Sequence, residues 1–169
     1  NLGACIGKWN VRNTASSWLE VTPTSGEGGQ TITIKPITNH HSKTKSSGKA
    51  RTAQVRIESE FIGENPELVK EITVTQAVHI FGVASNTATV TATTPASIKV
   101  ECSSSWDASC SADWIELSPT SKNGDGTLQI KAKNKNGSKS ARTATVVVKN
   151  KVGEASFEEN ITVTQAAGV

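Results

Sequence analysis

Tyrosine and methionine are absent from this 169-residue chain, and aromatic residues make up only 4% of it. A site that binds its ligand on a flat ring has little to use beyond the four tryptophans, because only three phenylalanines accompany them. No apolar run approaches the roughly eighteen residues of a membrane-spanning helix. The chain itself is therefore not expected to insert into a membrane.

An excess of charge of one sign is also lacking, because 18 basic and 15 acidic residues leave a formal net charge of +3. Small lysine-rich groups lie at 43–51 and 131–142, but aromatic residues do not alternate with them as in nucleic-acid-binding surfaces. We interpret these groups as solvated strand edges or hairpin tips, where lysine discourages strand-to-strand aggregation. Nucleic acid is not an expected partner.

Cysteine is scarce, and three residues allow at most one disulfide within the chain. Cys102 and Cys110 flank Trp106, and a bond between them needs a hairpin, because on one strand they lie too far apart. Such a bond would indicate an oxidising compartment, and buried free thiols are the alternative. The sequence leaves both open.

Helical periodicity is nearly missing, apart from a short stretch at 65–71. Short apolar runs that alternate with polar residues predict strands instead, at 19–21, 30–34, 53–57 and 72–74. About six or seven such strands in each half are what a two-sheet sandwich requires. We therefore predict an all-β fold.

The two halves of the chain repeat one pattern of tryptophans and turns. In the first half Trp9 is followed by Trp18, an apolar-Glu-apolar triplet, Pro-Thr-Ser and a glycine turn. The second half repeats this order from Trp106 and Trp114. Two copies of one module therefore stand in tandem.

Further correspondences extend the repeat to the end of each half. Ala-Arg-Thr-Ala surrounds Arg51 and Arg142, and Ile-Thr-Val-Thr-Gln follows in both copies. Cys5 corresponds to Cys102. The first copy has insertions at 40–48 and before Ile72, and it has no clear counterpart of 81–92, where threonines alternate with apolar residues as an opening strand. Its first strand is thus short or trimmed.

This ordered set resembles the BACON domain, the Bacteroidetes-associated carbohydrate-binding often N-terminal module. The resemblance implies two tandem immunoglobulin-like β-sandwich domains, which we place at 1–78 and 79–169. It also implies a secreted or lipid-anchored protein of gut-type Bacteroidetes, where such modules often stand beside glycoside hydrolases. The chain starts at Asn1 rather than Met, which suggests a processed or trimmed polypeptide. We expect an exported protein of the periplasm or cell surface, an outer-membrane lipoprotein with an upstream lipid anchor.

The tryptophans are the candidate sugar-binding residues, because a flat ring packs well against the apolar face of a pyranose. Trp9 and Trp106 recur at matching strand positions, which is typical of core residues, and we predict a structural role for them. Trp18 and Trp114 precede a strand and are expected near a sheet end, where a ring can face solvent. Core packing is the favoured interpretation for these two as well, and they are the predicted carbohydrate-binding residues if a ring is exposed.

Arg51 and Arg142 open a strand in equal contexts, which favours a structural role. Each is expected to pair with a carboxylate or to cap carbonyl groups at the end of a sheet. Glu20 and Glu116 are the candidate partners, since they repeat as the arginines do. A salt bridge to a ligand is the alternative.

No metal or cofactor is expected. His40 and His41 are adjacent, so on a strand they point to opposite faces, and His79 is distant in the sequence. Asp125 lies in a glycine turn without the further acidic positions of a calcium loop. No carboxylate pair spans a cleft and no histidine stands beside a nucleophile, so the chain is predicted not to be an enzyme.

Two functions remain. The chain is a non-catalytic spacer or adhesion module that contacts a surface protein, or it is a carbohydrate-binding module for mucin or polysaccharide glycans. The exposure of the rings of Trp18 and Trp114 distinguishes them, because stacking on a sugar needs a free face.

Overall fold

The structure is a computed structural model that describes residues 7–60, 69–153 and 155–168. The chain divides into two compact units. Unit 1 comprises Asn1–His40 and Lys49–Val78, and unit 2 comprises His41–Gly48 and His79–Val169. The predicted all-β class of tandem β-sandwich domains is confirmed.

Short alternating segments form the strands, because alternate side chains of a strand point to opposite faces. In chain order they are β1 (Lys8–Asn13), β2 (Leu19–Thr22), β3 (Ser25–Glu27), β4 (Thr33–Pro36), β5 (His41–Ser42), β6 (Arg51–Ser59), β7 (Val69–Gln76), β8 (His79–Val83), β9 (Thr87–Thr89), β10 (Ala96–Cys102), β11 (Ser105–Cys110), β12 (Ile115–Ser118), β13 (Ser121–Asn123), β14 (Gly126–Ala132), β15 (Arg142–Val152) and β16 (Ala155–Gln165).

Unit 1 contains a four-stranded sheet in the order β3-β1-β6-β7 and a two-stranded sheet of β2 and β4. All of these strands pair antiparallel. The alternation on β2 buries Leu19 and Val21 and leaves Glu20 exposed between them. Their buried side chains form a core with those of Trp18, Ala53 and Val55.

Unit 2 contains two five-stranded sheets, in the orders β12-β14-β10-β8-β5 and β13-β11-β15-β16-β9. The edge strands β5 and β9 pair parallel to their neighbours, and the other pairs are antiparallel. The inward residues of the two sheets meet in one core. Its largest fully buried side chains include those of Trp106, Phe81, Leu128, Ile130 and Ile161.

The inserted segment 41–48 belongs to unit 2, which the sequence did not indicate. His41 pairs with His79, and Ser42 pairs with Ile80, so β5 is an edge strand beside β8. Lys43 and Lys45 of this segment lie in the turn that follows β5, where they form ion pairs with Glu159 and Asp125. Gly82 permits the contact, because a Cβ atom at this position would collide with the backbone of Lys43.

Other differences from expectation are small. The opening strand predicted around 87–93 is β9, which ends at Thr89, because the chain turns where Thr91 N donates to Thr94 O. Cys5 and residues 61–68 lie outside the described residues, whereas the rest of the 65–71 stretch begins β7. Within the described ranges, no helix is long and apolar enough to cross a bilayer.

Candidate functional site

Trp9 and Trp106 occupy the same place in their units. Each lies on the strand that pairs with the long central strand, and each is almost fully buried. The indole nitrogen of Trp9 donates to Gly28 O at 3.0 Å, and that of Trp106 donates to Gly124 O at 3.0 Å. Both rings therefore fill cores and satisfy their one polar group on a turn.

Trp18 and Trp114 also correspond, and each lies immediately before a strand. Trp18 is 8% exposed, and Trp114 is partly buried against the core of unit 2. The guanidinium carbon of Arg51 lies 4.4 Å from the ring centre of Trp18, and that of Arg142 lies 4.3 Å from the ring centre of Trp114. One face of each ring is therefore covered by an arginine of the same unit.

In unit 1, hydrogen bonds fix this arginine. Arg51 Nε donates to Gln76 Oε1 at 2.8 Å, and its terminal nitrogen donates to Thr38 O at 2.9 Å and to Thr38 Oγ1 at 2.7 Å. Gln76 Nε2 donates to the same carbonyl at 3.1 Å. Arg51 and Gln76 face each other across β6 and β7. We call the set of tryptophan, arginine, glutamine and loop carbonyl the clasp.

Unit 2 repeats the clasp. Arg142 Nε donates to Gln165 Oε1 at 2.8 Å, and its terminal nitrogen donates to Asn134 Oδ1 at 2.8 Å. Gln165 Nε2 donates to Asn134 O at 2.9 Å. Because both copies use a tryptophan, an arginine and a glutamine in the same geometry, with only the loop residue changed from Thr38 to Asn134, the clasp is a property of the module.

Glu20 and Glu116 are not the partners of the arginines, but both arginines donate to carbonyl groups, as the other expectation held, at Thr38 O and Asn134 O. Glu20 lies between Leu19 and Val21 on β2, so the alternation of the strand turns its side chain to solvent, and Glu116 is exposed at the equivalent position of β12. The glutamines were visible in the repeated Thr-Val-Thr-Gln sequence, but their role was not predicted. The signal was their register, since each stands directly across from its arginine.

The three histidines form hydrogen bonds within the fold. His40 Nε2 contacts Lys49 O at 2.6 Å, and His41 Nε2 contacts Phe81 O at 3.0 Å. His79 Nε2 donates to Asn150 Oδ1 at 2.7 Å, because the amide nitrogen of Asn150 already donates to other groups. In the described ranges, no three His, Cys, Asp or Glu side chains are grouped so that they could hold a metal ion.

A group of charged side chains joins segment 41–48 to the rest of unit 2. Lys45 Nζ donates to Asp125 Oδ2 at 2.6 Å, and Lys45 N donates to Glu101 Oε2 at 2.7 Å. The side-chain bond from Lys45, with a second bond from Cys102 N, lowers the pKa of Asp125. The pKa of Glu101 is lowered mainly by the hydrogen bond from the Lys99 side chain and next by the bond from Lys45 N. The bond between Lys99 and Glu101 also raises the pKa of Lys99. The turn aspartate therefore anchors a lysine.

Cys102 and Cys110 are both free. Cys102 is buried at the end of β10, and Cys110 lies at the end of β11 in the other sheet of unit 2. The chain thus changes sheets between them. The Sγ atom of Cys102 accepts a hydrogen bond from Asn150 Nδ2 at 3.3 Å.

A surface groove of about 630 Å³ lies beside the clasp of unit 2 and shares Gln165 with it. Its wall carries the hydroxyl-bearing Thr91 and Thr93 and the exposed Lys135 and Lys139. Asn136 is also part of the wall, but it is buried and its amide donates to Ser140 O and Ala166 O. No tryptophan is among the residues that line this groove.

A family model described as "BACON: Putative binding domain, N-terminal" matches residues 7–77 and 104–166. The chain belongs to the BACON family. The two matched segments confirm the expected tandem copies. Membership in this family, together with the β-sandwich fold, indicates a binding module.

The solved structures that resemble the chain include the following three. The D00-D0 domain of intimin has a TM-score of 0.51 at 10% identity, over 93% of this chain and 85% of that one, which supports the fold alone. A Bacteroides ovatus GH5 xyloglucanase in complex with a XXXG heptasaccharide has a TM-score of 0.45 at 25% identity. The match covers 52% of this chain and 19% of the xyloglucanase. Cadherin-like domains 1 to 4 of zebrafish RET have a TM-score of 0.33 at 7% identity, over 94% of this chain and 42% of that one. No curated protein matches the sequence.

Proposed function

We propose that the chain is a non-catalytic spacer or adhesion module of an exported protein, located in the periplasm or at the cell surface of a Bacteroidetes-type cell. The observation that carries this proposal is the clasp. In both copies an arginine lies over the tryptophan that would have to stack on a sugar. A sugar ring could take that face only by displacing an arginine that also holds a glutamine and a loop carbonyl.

The environment of Glu101 and Asp125 also fits a structural role for these two carboxylates. Glu101 and Asp125, whose pKa values are shifted, both accept hydrogen bonds from lysines at the surface. Their shifts are downward, so both stay ionised near neutral pH. A general acid needs a carboxyl group whose pKa is raised. These two groups are suited to holding segment 41–48 in place.

The second candidate function is glycan binding, and the groove beside the second clasp favours it. The groove offers two threonine hydroxyl groups and two lysines, which can bind the hydroxyl or acidic groups of a saccharide. Trp114 is also less buried than Trp18. Glycan binding would then use the groove of unit 2 and, through Gln165, the neighbouring clasp.

A glycan array that includes mucin and plant polysaccharides separates the two functions. The proposed function predicts no saturable binding by the chain, by a Trp114→Ala variant or by a Thr93→Trp variant whose bulky ring obstructs the groove. Thr143→Trp, at an exposed position on β15, is the matched control. Saturable binding that is lost in Thr93→Trp or Trp114→Ala, but kept in the control, would establish the glycan-binding function instead.

A further inference from the structure

The sequence contains two Asn-Gly pairs, and both belong to unit 2. At such a pair an asparagine loses ammonia most readily, because glycine carries no side chain to shield the backbone nitrogen that attacks the amide. Asn123 is the last residue of β13 and precedes Gly124, whereas Asn136-Gly137 lies in the loop between β14 and β15. The fold holds these two asparagines in opposite ways.

The Asn136 side chain is buried and fixed by hydrogen bonds. The residue is 5% exposed, its amide nitrogen donates to Ser140 O at 2.8 Å and to Ala166 O at 2.9 Å, and its amide oxygen accepts from Ser138 N at 3.0 Å. Loss of ammonia requires the side-chain carbon to turn toward the next backbone nitrogen, so all three bonds would have to break. This pair is therefore protected.

The Asn123 side chain has none of these restraints. All three residues of the edge strand β13 are exposed, and the side chain of Asn123 makes no hydrogen bond within the described ranges. Gly124 has a φ of 73°, and a Cβ atom placed there would meet nothing within 4 Å, so the space beside the pair is open. The Gly124 nitrogen donates to Ser104 O at 2.7 Å, so one bond at a strand edge has to open before this nitrogen can attack.

We propose that Asn123 is a site of spontaneous deamidation and that Asn136 is not. The Gly124 nitrogen loses its proton and attacks Cγ of Asn123. A carbon–nitrogen bond forms, the Cγ–Nδ2 bond breaks, and Nδ2 leaves as ammonia with the proton that the nitrogen gave up. The five-membered imide then takes up one water molecule. Opening at the Cγ carbonyl gives aspartate, and opening at the main-chain carbonyl gives isoaspartate, whose main chain runs through Cγ.

Isoaspartate at position 123 disturbs the turn that supports Trp106. Gly124 O accepts from the indole nitrogen of Trp106 at 3.0 Å, and the next residue, Asp125, anchors segment 41–48. One extra main-chain carbon before Gly124 displaces both groups relative to β11. The modification therefore weakens the Trp106 bond, and it does so whether the chain is a spacer or binds glycans.

The equivalent turn of unit 1 supplies a matched control. Glu27 stands where unit 2 has Asn123, at the same register beside the buried tryptophan. Gly28 likewise has a positive φ, of 70°, and its carbonyl accepts from Trp9 Nε1 at 3.0 Å. Glutamate is thus compatible with this turn, and its longer side chain would have to close a larger ring. Asn123→Glu should keep the fold and remove the site.

The test is to incubate the full chain at mildly alkaline pH and to follow its peptides by mass spectrometry, with fragmentation that distinguishes aspartate from isoaspartate. Asn123 should be converted at least about tenfold faster than Asn136 in the same sample, because more hydrogen bonds hold Asn136. Both products should form at position 123. The indole N–H of Trp106 should exchange at least about fivefold faster in the modified chain. The indole of Trp9, and that of Trp106 in incubated Asn123→Glu, should be unchanged.

Asn123→Asp separates the new charge from the longer main chain. It carries the charge on an unaltered backbone, so it should leave the Trp106 indole as well protected as in the fresh protein. Faster exchange in this variant, or unchanged exchange in the isoaspartate form, would overturn the assigned effect on the turn. No conversion at Asn123, equal or faster conversion at Asn136, or aspartate without isoaspartate at position 123 would overturn the site itself.

Discussion

At the scale of single residues, the clasp arginines decide whether the second tryptophan of each module is structural. Arg142→Met keeps an aliphatic chain over Trp114 but removes the donors to Gln165 and Asn134. We expect it to lower the free energy of unfolding by about 2 kcal/mol, because charged hydrogen bonds and a cation–π contact are lost together. Urea denaturation measures this, with exposed Lys131→Met as the control. Equal stability of the two variants would contradict a structural role for the clasp.

The buried tryptophans give a second prediction at this scale. Trp106 is fully buried and its indole nitrogen bonds to Gly124 O. Trp106→Ala should lower the free energy of unfolding by roughly 3–5 kcal/mol, because it leaves a large cavity. Trp106→Phe should cost less, since it keeps most of the ring. If Trp106→Ala unfolds at the same denaturant concentration as the unchanged chain, the core assignment is wrong.

The limits of sequence analysis are clearest at the clasp. The repeated Trp18 and Trp114 could be located from the pattern, and Arg51 and Arg142 were correctly given an equal context in each copy. The carboxylates of Glu20 and Glu116 were the wrong partners for these arginines, whereas donation to carbonyl groups was among the expectations and occurs at Thr38 O and Asn134 O. The Glu20 side chain points to solvent because buried and exposed side chains alternate along β2. The glutamine partners depend on cross-strand register, which one sequence does not specify.

At the scale of elements, segment 41–48 is held by a close backbone contact at Gly82. Gly82→Ala should displace this segment from β8, because the new methyl group would meet the backbone of Lys43. Hydrogen–deuterium exchange should then become faster at 41–48, while the core strands of unit 2 are unchanged. Gly137→Ala is the matched control, because a Cβ atom there meets nothing within 4 Å. Unchanged exchange at 41–48 in Gly82→Ala would contradict the contact.

The same segment should respond to acid. Glu101 and Asp125 have lowered pKa values in the folded state, so the stability they add is present above their ordinary values of 4.5 and 3.8. It is lost as pH falls through the lowered values. The amide resonance of Lys45, which donates to Glu101, should therefore move in NMR spectra only below pH 4.5.

Asp125→Asn provides the check on this pH dependence. It removes the ion pair with Lys45, so the segment should be less protected from exchange near neutral pH and should lose part of its response to acid. Asp113→Asn, at an exposed position of the same unit, should leave both properties unchanged. A Lys45 amide that titrates at or above the ordinary carboxylate pKa would contradict the assigned bonds.

The placement of this segment could not be predicted from the sequence. Only His41 and Ser42 form its ladder, and their partners lie far along the chain, beside His79 and Ile80. Two residues with no apolar alternation give no strand signal. Its lysines follow the edge strand β5, but a strand edge or a hairpin tip of either copy satisfies the predicted pattern.

At the scale of the whole molecule, the sequence predicts the all-β class and the tandem BACON copies correctly, because tryptophans, turns and alternating runs recur in a fixed order. The domain limits at 1–78 and 79–169 differ from the two compact units by segment 41–48. The absence of a counterpart to 81–92 in the first copy was also visible.

The central claim about the molecule is that its two copies share one architecture, in which the described apolar positions of unit 2 are more deeply buried than their equivalents in unit 1. Equivalent strands can be compared within one sample. Ile161 and Val163 on β16 are fully buried, whereas Ile72 and Val74 on β7 are partly exposed. Amides on the better-covered strand should open to solvent less often.

Native-state hydrogen exchange followed by NMR tests this claim most directly. The amides of Ile161 and Val163 are predicted to be protected at least about tenfold more strongly than those of Ile72 and Val74, after correction for intrinsic rates. Equal protection of the two pairs, or stronger protection in β7, would contradict the account.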